Sequence, residues 1–149
     1  MFKYNVKIVK IIDGDTAKVD IDLGFDVWLK NENIRFYGID APESRTRDPI
    51  EKFYGLLAKE EVKKLLPIGS TQKMESTKFK SGKFGRILGI FFLYDSEKKD
   101  WFTLNNYLIE NNLAIKFDGK VNRKSLKEEH LKNRKVLAKR GIIINNGKN

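Results

Sequence analysis

The chain has no cysteine and a single histidine, His130. Without cysteine there are no disulfides, no thiol nucleophile and no zinc or iron–sulfur site built on thiolates. With one histidine, every catalytic plan that needs two imidazoles is excluded. Long apolar runs are missing as well. Met1 to Ile12 alternates apolar residues with Lys and Asn, so it reads as neither a signal peptide nor a membrane span. As the chain stands it is expected in the cytoplasm, or outside the cell if a leader has been removed. Acidic residues are in deficit: 20 Asp and Glu face 30 Lys and Arg, for a net charge of +10. Such a balance favours a polyanionic partner, either nucleic acid or an anionic membrane surface. The membrane reading lacks the Trp- or Leu-faced amphipathic helix it needs. Linkers, repeats and low-complexity tracts are also missing. At 149 residues the chain fits one domain over 1–149, with a loose tail from about 142, and nothing demands more than a monomer.

What is present starts with period two. Phe2, Tyr4, Val6 and Ile8 alternate with Lys3, Asn5 and Lys7, and Ala17, Val19, Ile21 and Leu23 alternate with Lys18, Asp20 and Asp22. Two half-buried strands follow from this, joined at Asp13-Gly14-Asp15, where Gly accepts a positive φ and Asp bonds to nearby backbone. A third strand runs from about Val27 to Ile39 with a break at Asn31–Asn33. Asp48-Pro49-Ile50-Glu51 has the form of a helix start, and Tyr54, Leu57, Ala58, Val62, Leu65 and Leu66 fall at helical spacing. Gly55 is awkward inside such a helix, since it costs about 1 kcal/mol against Ala; the start is therefore open between Asp48 and Tyr54. Thr71–Phe79 and Arg86–Tyr94 are two further strands. Thr103 is placed to cap a short helix to about Asn111. A last, basic helix spans Lys124 to Arg140, with Ser125 and Glu128 as a capping box and Gly141 as C-cap. The order predicts a β-rich α+β fold, a five-stranded Greek-key barrel of OB type with about three helices.

Three carboxylates stand at strand ends: Asp15 closing the first turn, and Asp40 and Glu43 in Gly38-Ile39-Asp40-Ala41-Pro42-Glu43. Clustered carboxylates stay ionised only with cationic compensation, and a hard oxygen-seeking ion, Ca²⁺ or Mg²⁺, suits them. Arg35 precedes Asp40 on the same strand and Arg86 opens a later one; the planar fork of arginine donates paired hydrogen bonds to phosphate. Each piece alone has a plain structural reading as a hairpin turn, a polar loop or a surface charge. Their joint occurrence in this order is what points to chemistry.

Ile12-Asp13-Gly14-Asp15-Thr16, Arg35-Phe36-Tyr37-Gly38-Ile39-Asp40-Ala41-Pro42-Glu43 and Lys83-Phe84-Gly85-Arg86 together resemble the staphylococcal nuclease family. Weaker likeness continues through Asn105–Ala114 and His130-Leu131. The resemblance implies a calcium-dependent phosphodiesterase that hydrolyses DNA and RNA with little sequence specificity, preferring single strands or frayed duplex. It implies one Ca²⁺, with Mg²⁺ or another divalent ion less suited, held by Asp15, Asp40 and the backbone carbonyl of Ala41. Arg35 and Arg86 would clamp the phosphate and stabilise the phosphorane, and Glu43 would activate the attacking water. Lys83, Phe84 and Phe117 are candidate substrate contacts. Phe84 stands where a tyrosine is usual, and the family's paired tyrosines after Leu113-Ala114 are missing, with Phe117 the nearest aromatic; stacking needs only a π-face. The alternative is a catalytically silent OB-type nucleic-acid-binding module, against which the retained acid cluster argues.

Two further expectations concern packing. Trp28 and Trp101, in apolar strand contexts, are expected to pack inside. His130, on a polar helix, is expected at the surface. The basic stretch Lys120–Arg140 is either a solvated face or a track for phosphates.

Overall fold

A computed structural model describes residues 2–81, 86–120 and 122–144 of the chain. The alternating N-terminal residues form β1 (Phe2–Asp13), with Val6 and Ile8 buried and Lys3, Asn5 and Lys7 exposed. β1 turns back into β2 (Thr16–Asp22), and β2 pairs in turn with β3 (Trp28–Phe36), both antiparallel. Asn31 takes a φ of 56°, and the register slips around it, Glu32 facing Val19 and Leu29 facing Ile21. The expected break in this strand is thus absorbed as a bulge.

The remaining elements are β4 (Ile39–Asp40), α1 (Pro49–Leu65), β5 (Thr71–Ser81), β6 (Arg86–Asp95), β7 (Asp100–Thr103), α2 (Leu104–Glu110), β8 (Ile115–Lys116) and α3 (Arg123–Lys139). β5 lies antiparallel between β1 and β6. β6 then closes the ring by pairing parallel to β3, Ile34 with Ile87, Arg35 with Leu88 and Phe36 with Gly89. The five strands β3-β2-β1-β5-β6 form the ring anticipated for an OB-type barrel, with three helices around it. Two pairings were not anticipated. β7 extends the sheet beyond the second half of β6, and β4 pairs with β8.

The barrel interior is filled by Val6, Ile8, Ile34, Phe36, Met74 and Phe91, all at most 1% exposed. Phe36 and Phe91 meet edge to face at 5.2 Å. Each such side chain contributes about 1.5–3 kcal/mol on burial. The two tryptophans are not part of this core, contrary to expectation: Trp28 and Trp101 are 40% and 50% exposed. Phe102, next to Trp101, packs against the core, which leaves Trp101 on the outward side of the alternation. Trp28 belongs to a hairpin end whose residues 23–31 are all exposed.

Helix α1 begins at Asp48, whose carboxylate accepts from the N–H groups of Ile50 and Glu51, with Pro49 in the first turn. Its interior glycine has a definite cause. A Cβ on Gly55 would lie 2.3 Å from the carbonyl oxygen of Glu43 and 2.7 Å from the nitrogen of Ser44. The residue that weakens the helix is the one that lets another stretch of backbone rest on it. Gly14 has a similar role. It does not adopt the positive φ expected of the turn; instead a Cβ there would lie 2.6 Å from that of Ala58. Gly55 and Ala58 thus give α1 a low face on which two loops are seated.

At α3, Asn122 is the cap and accepts from Ser125 N–H at 2.9 Å, so the helix starts at Arg123, one residue earlier than expected, and Ser125 is not its cap. An amide side chain one turn upstream satisfies the free N–H, leaving Ser125 inside the helix. Gly141 follows the C-cap at a φ of +86°, as expected. Thr103 caps α2 through Asn106 N–H. Among the described residues no helix is long and apolar enough to cross a membrane.

Candidate active site

Arg35 sits between buried Ile34 and Phe36 on β3, so alternation turns it outward. Its guanidinium joins two loops: Nη1 lies 2.9 Å from Asp15 Oδ2, and Nη2 lies 2.8 Å from Asp40 Oδ1. Asp15, at the end of the β1–β2 turn, is only 4% exposed. Its Oδ2 also accepts from Ala41 N–H and its Oδ1 from the Thr16 hydroxyl, both at 2.9 Å. The second oxygen of Asp40 lies 2.8 Å from His130 Nε2. An ionised carboxylate only accepts, so the imidazole donates.

His130 is therefore not the surface residue expected. Its side chain is 13% exposed, because α3 lays this position against β4. Ninety residues separate it from Asp40, and the polar pattern of the helix gave no sign of the contact. Only its rarity singled it out.

The two carboxylates are held in opposite ways. Burial dominates at Asp15 and pushes its carboxyl up, even with Arg35 and the Ala41 N–H lowering it. Burial also pushes Asp40 up, but hydrogen bonds from His130 and Arg35, with the charge of Arg35, outweigh it and hold the group below its ordinary value. At Asp15 burial outweighs its hydrogen bonds and the charge of Arg35; at Asp40 the bonds and charge outweigh burial.

Glu43 is exposed, yet its backbone is fixed on both sides. Gly55 receives the Glu43 carbonyl from below, and the Ser44 hydroxyl donates to Asp13 Oδ1, tying the loop to the β1–β2 turn. An exposed carboxylate thus projects from a seated backbone.

Beyond Arg35 opens a cleft of about 1040 Å³, walled by Arg35, Asp40, Arg86, Leu88, Lys116 and Phe117 among others. The parallel seam places Arg35 opposite Leu88, so Arg86, two residues earlier on β6, shares the outward face. Phe117 is held at the rim by its N–H, which donates to the Gly38 carbonyl at 2.9 Å. Asn105 pins the seam beneath, donating to the carbonyls of Tyr37 and Gly89 and accepting from Phe91 N–H.

The sequence candidates thus fall into two overlapping groups. Asp15, Arg35, Asp40 and Ala41 form one bonded knot. Arg35, Asp40, Arg86 and Phe117 wall one cleft. Glu43 stands near the knot in sequence but is not part of the cleft wall. Lys83 and Phe84 lie outside the described residues.

The knot suits a hard cation. One guanidinium serves two carboxylates, and the buried one is still pushed up by its burial. Among the described residues no group of three or more acidic, His or Cys side chains forms a ready-made cage. Two carboxylates would therefore be supplemented by a backbone carbonyl, water and a ligand's own oxygens, which Ca²⁺ accepts in its flexible shell of 6–8.

Residues 33–141 match the profile of the family described as "Staphylococcal nuclease homologue". Over 88 residues the chain is 32% identical to a protein of Staphylococcus hyicus named "Thermonuclease". That stretch covers 58% of this chain and 47% of the relative, so the chain spans about half the relative's length.

Proposed function

From the premise that this chain belongs to the staphylococcal nuclease family, we propose that it is a nuclease that hydrolyses the phosphodiester backbone of DNA and RNA. It acts as a single-domain monomer with little regard for sequence and favours single strands or frayed duplex. One observation carries the reading: two arginines from strands far apart in sequence, Arg35 and Arg86, wall one cleft together with Asp40.

A phosphodiester seated there receives paired hydrogen bonds from Arg35, which the knot holds in place, and from Arg86 across the seam. Both guanidinium groups stabilise the negative charge that grows on the phosphoryl oxygens as water attacks phosphorus. Glu43 accepts a proton from that water, and the P–O bond to the leaving oxygen breaks. Asp15, Asp40 and the Ala41 carbonyl would hold one Ca²⁺, which would supply further positive charge to the phosphate. His130 keeps Asp40 in orientation through its second oxygen. Phe117, and Phe84 with Lys83 shortly before Arg86 in the sequence, offer a stacking face and charge to the flanking nucleotides.

The test is cleavage of single-stranded and duplex DNA in Ca²⁺, in Mg²⁺ and in chelator. Glu43→Ala and Arg86→Ala variants run alongside, with circular dichroism as the check on folding. Calcium-dependent cleavage that both folded variants lose is the expected result. Binding without cleavage in every metal, unchanged in both variants, would leave a silent OB-type nucleic-acid binder instead.

A further inference from the structure

β6 carries its outward side chains past the end of the cleft. Gly89, Phe91 and Leu93 are buried, whereas Leu88, Ile90, Phe92 and Tyr94 face out. Leu88 and Ile90 wall the cleft, as does Thr103 on β7. Thr103 pairs with Phe92, and Trp101 pairs with Tyr94, so the cleft wall runs directly into an aromatic surface. The six steps from Leu88 to Tyr94 cover about 20 Å.

This surface carries both rings and charge. Tyr94 and Trp101 are 52% and 50% exposed, and they meet edge to face at 5.3 Å. Lys73 Nζ stands 5.4 Å from the Trp101 ring centroid, and Lys3 Nζ stands 5.8 Å from that of Phe92. Register sets Lys73 beside Phe92 on the neighbouring strand. One carboxylate, Glu75, shares this face, opposite Lys3. Half-exposed rings with ammonium groups resting on them match a ligand that has π-faces and anionic links in alternation.

We propose that this outer face of β6 and β7 is a second binding surface for single-stranded nucleic acid, continuous with the cleft. Bases stack on Phe92, Tyr94 and Trp101 while Lys3 and Lys73 meet phosphates. The assignment rests on the nucleic-acid reading of the cleft, since it extends the same strand beyond the point of cleavage. A face of about 20 Å falls in the range of the roughly 4–16 nucleotides that OB-type sites cover. Its effect is on grip, and so on the KM of long substrates, with kcat untouched.

The experiment measures fluorescence anisotropy of labelled oligo-dT of 4 and 16 nucleotides, in chelator so that nothing is cleaved. Wild type is compared with Trp101→Ala, Trp101→Phe and Lys73→Ala, each checked by circular dichroism. The 16-mer is expected to bind about tenfold more weakly to Trp101→Ala and severalfold more weakly to Lys73→Ala at low salt. Trp101→Phe recovers most of the affinity, and the 4-mer binds all four proteins alike. An unchanged 16-mer affinity in both alanine variants overturns the proposal, as does an equal loss for both lengths. If wild type cleaves nothing in any metal while the 16-mer still depends on Trp101, the nuclease reading falls and this surface stands.

Discussion

The two walls of the cleft are built on different principles. On the Arg35 side nearly everything is already bonded. Asp15, Asp40, Thr16, Ala41 and His130 form a connected set of hydrogen bonds around one guanidinium, on backbone seated against α1. On the β6 side Arg86 is exposed and takes part in no salt bridge among the described residues. One side is organised by its own bonds; on the proposed nuclease reading, the other is left for the phosphate. The contrast separates two costs that a single mutation usually mixes, namely loss of fold and loss of chemistry.

Substitution should expose that separation most sharply at the arginines. Arg35→Ala leaves a buried carboxylate without its partner, so urea unfolding should show a loss of about 3–5 kcal/mol together with loss of cleavage. Arg86→Ala should leave stability within about 0.5 kcal/mol of wild type and yet slow cleavage by about 10²–10³-fold, the scale of a deleted oxyanion donor. Equal destabilisation by both would erase the distinction between the walls. Next in size is Gly55→Ala. Its methyl group meets backbone, which cannot rotate away, so a cost of about 1–3 kcal/mol is expected. Activity should fall further than stability alone explains, because Glu43 is displaced. A stable, fully active Gly55→Ala would show that the loop is not seated as described.

The smallest effect is one of sign, and it divides the organised wall itself. Asp15 has its folded-state pKa raised, so its favourable contribution belongs to low pH and is lost as pH rises through that value. Asp40 has its pKa lowered, so its contribution is present above the ordinary carboxylate range and is lost as pH falls through the folded value. In chelator at neutral pH, thermal melts should therefore find Asp15→Asn more stable than wild type and Asp40→Asn less stable. Both differences should shrink on acidification. Melts that move in the same direction for both variants would refute the opposed electrostatics.

Much of this was open to reading in the chain itself, for identifiable reasons. Alternation at Val6 and Ile8 or Val19 and Ile21 reports a half-buried strand wherever it occurs, and Asp48-Pro49 marks a helix start by local chemistry. The acid and arginine positions are each ordinary alone and stood out only through their joint occurrence in an order that resembles the staphylococcal nuclease family. What escaped was non-local or short. Neither β4 nor β8 has more than two residues, and β7 has four, too few for a period. The meeting of His130 with Asp40 depends on where α3 lies. Gly55 did carry a signal, since a glycine that weakens a helix invites the question of what rests on it. The tryptophans misled because apolar neighbours say nothing about which parity faces in.

One edge of strand β6 pairs with β5, and the other is divided between β3 along residues 87–89 and β7 along residues 92–95. Because side chains alternate, a shift of one residue would turn Arg86, Leu88 and Ile90 inward and Phe91 outward along the whole strand. Substitutions on this strand therefore act one position at a time, whereas a single inserted or deleted codon would invert every face at once. The β2–β3 hairpin tip, where Phe25 is wholly exposed, has no such constraint and can absorb changes of length. Within one small gene, length variation should thus collect at the tip of the barrel and be purged from the strand that carries the cleft.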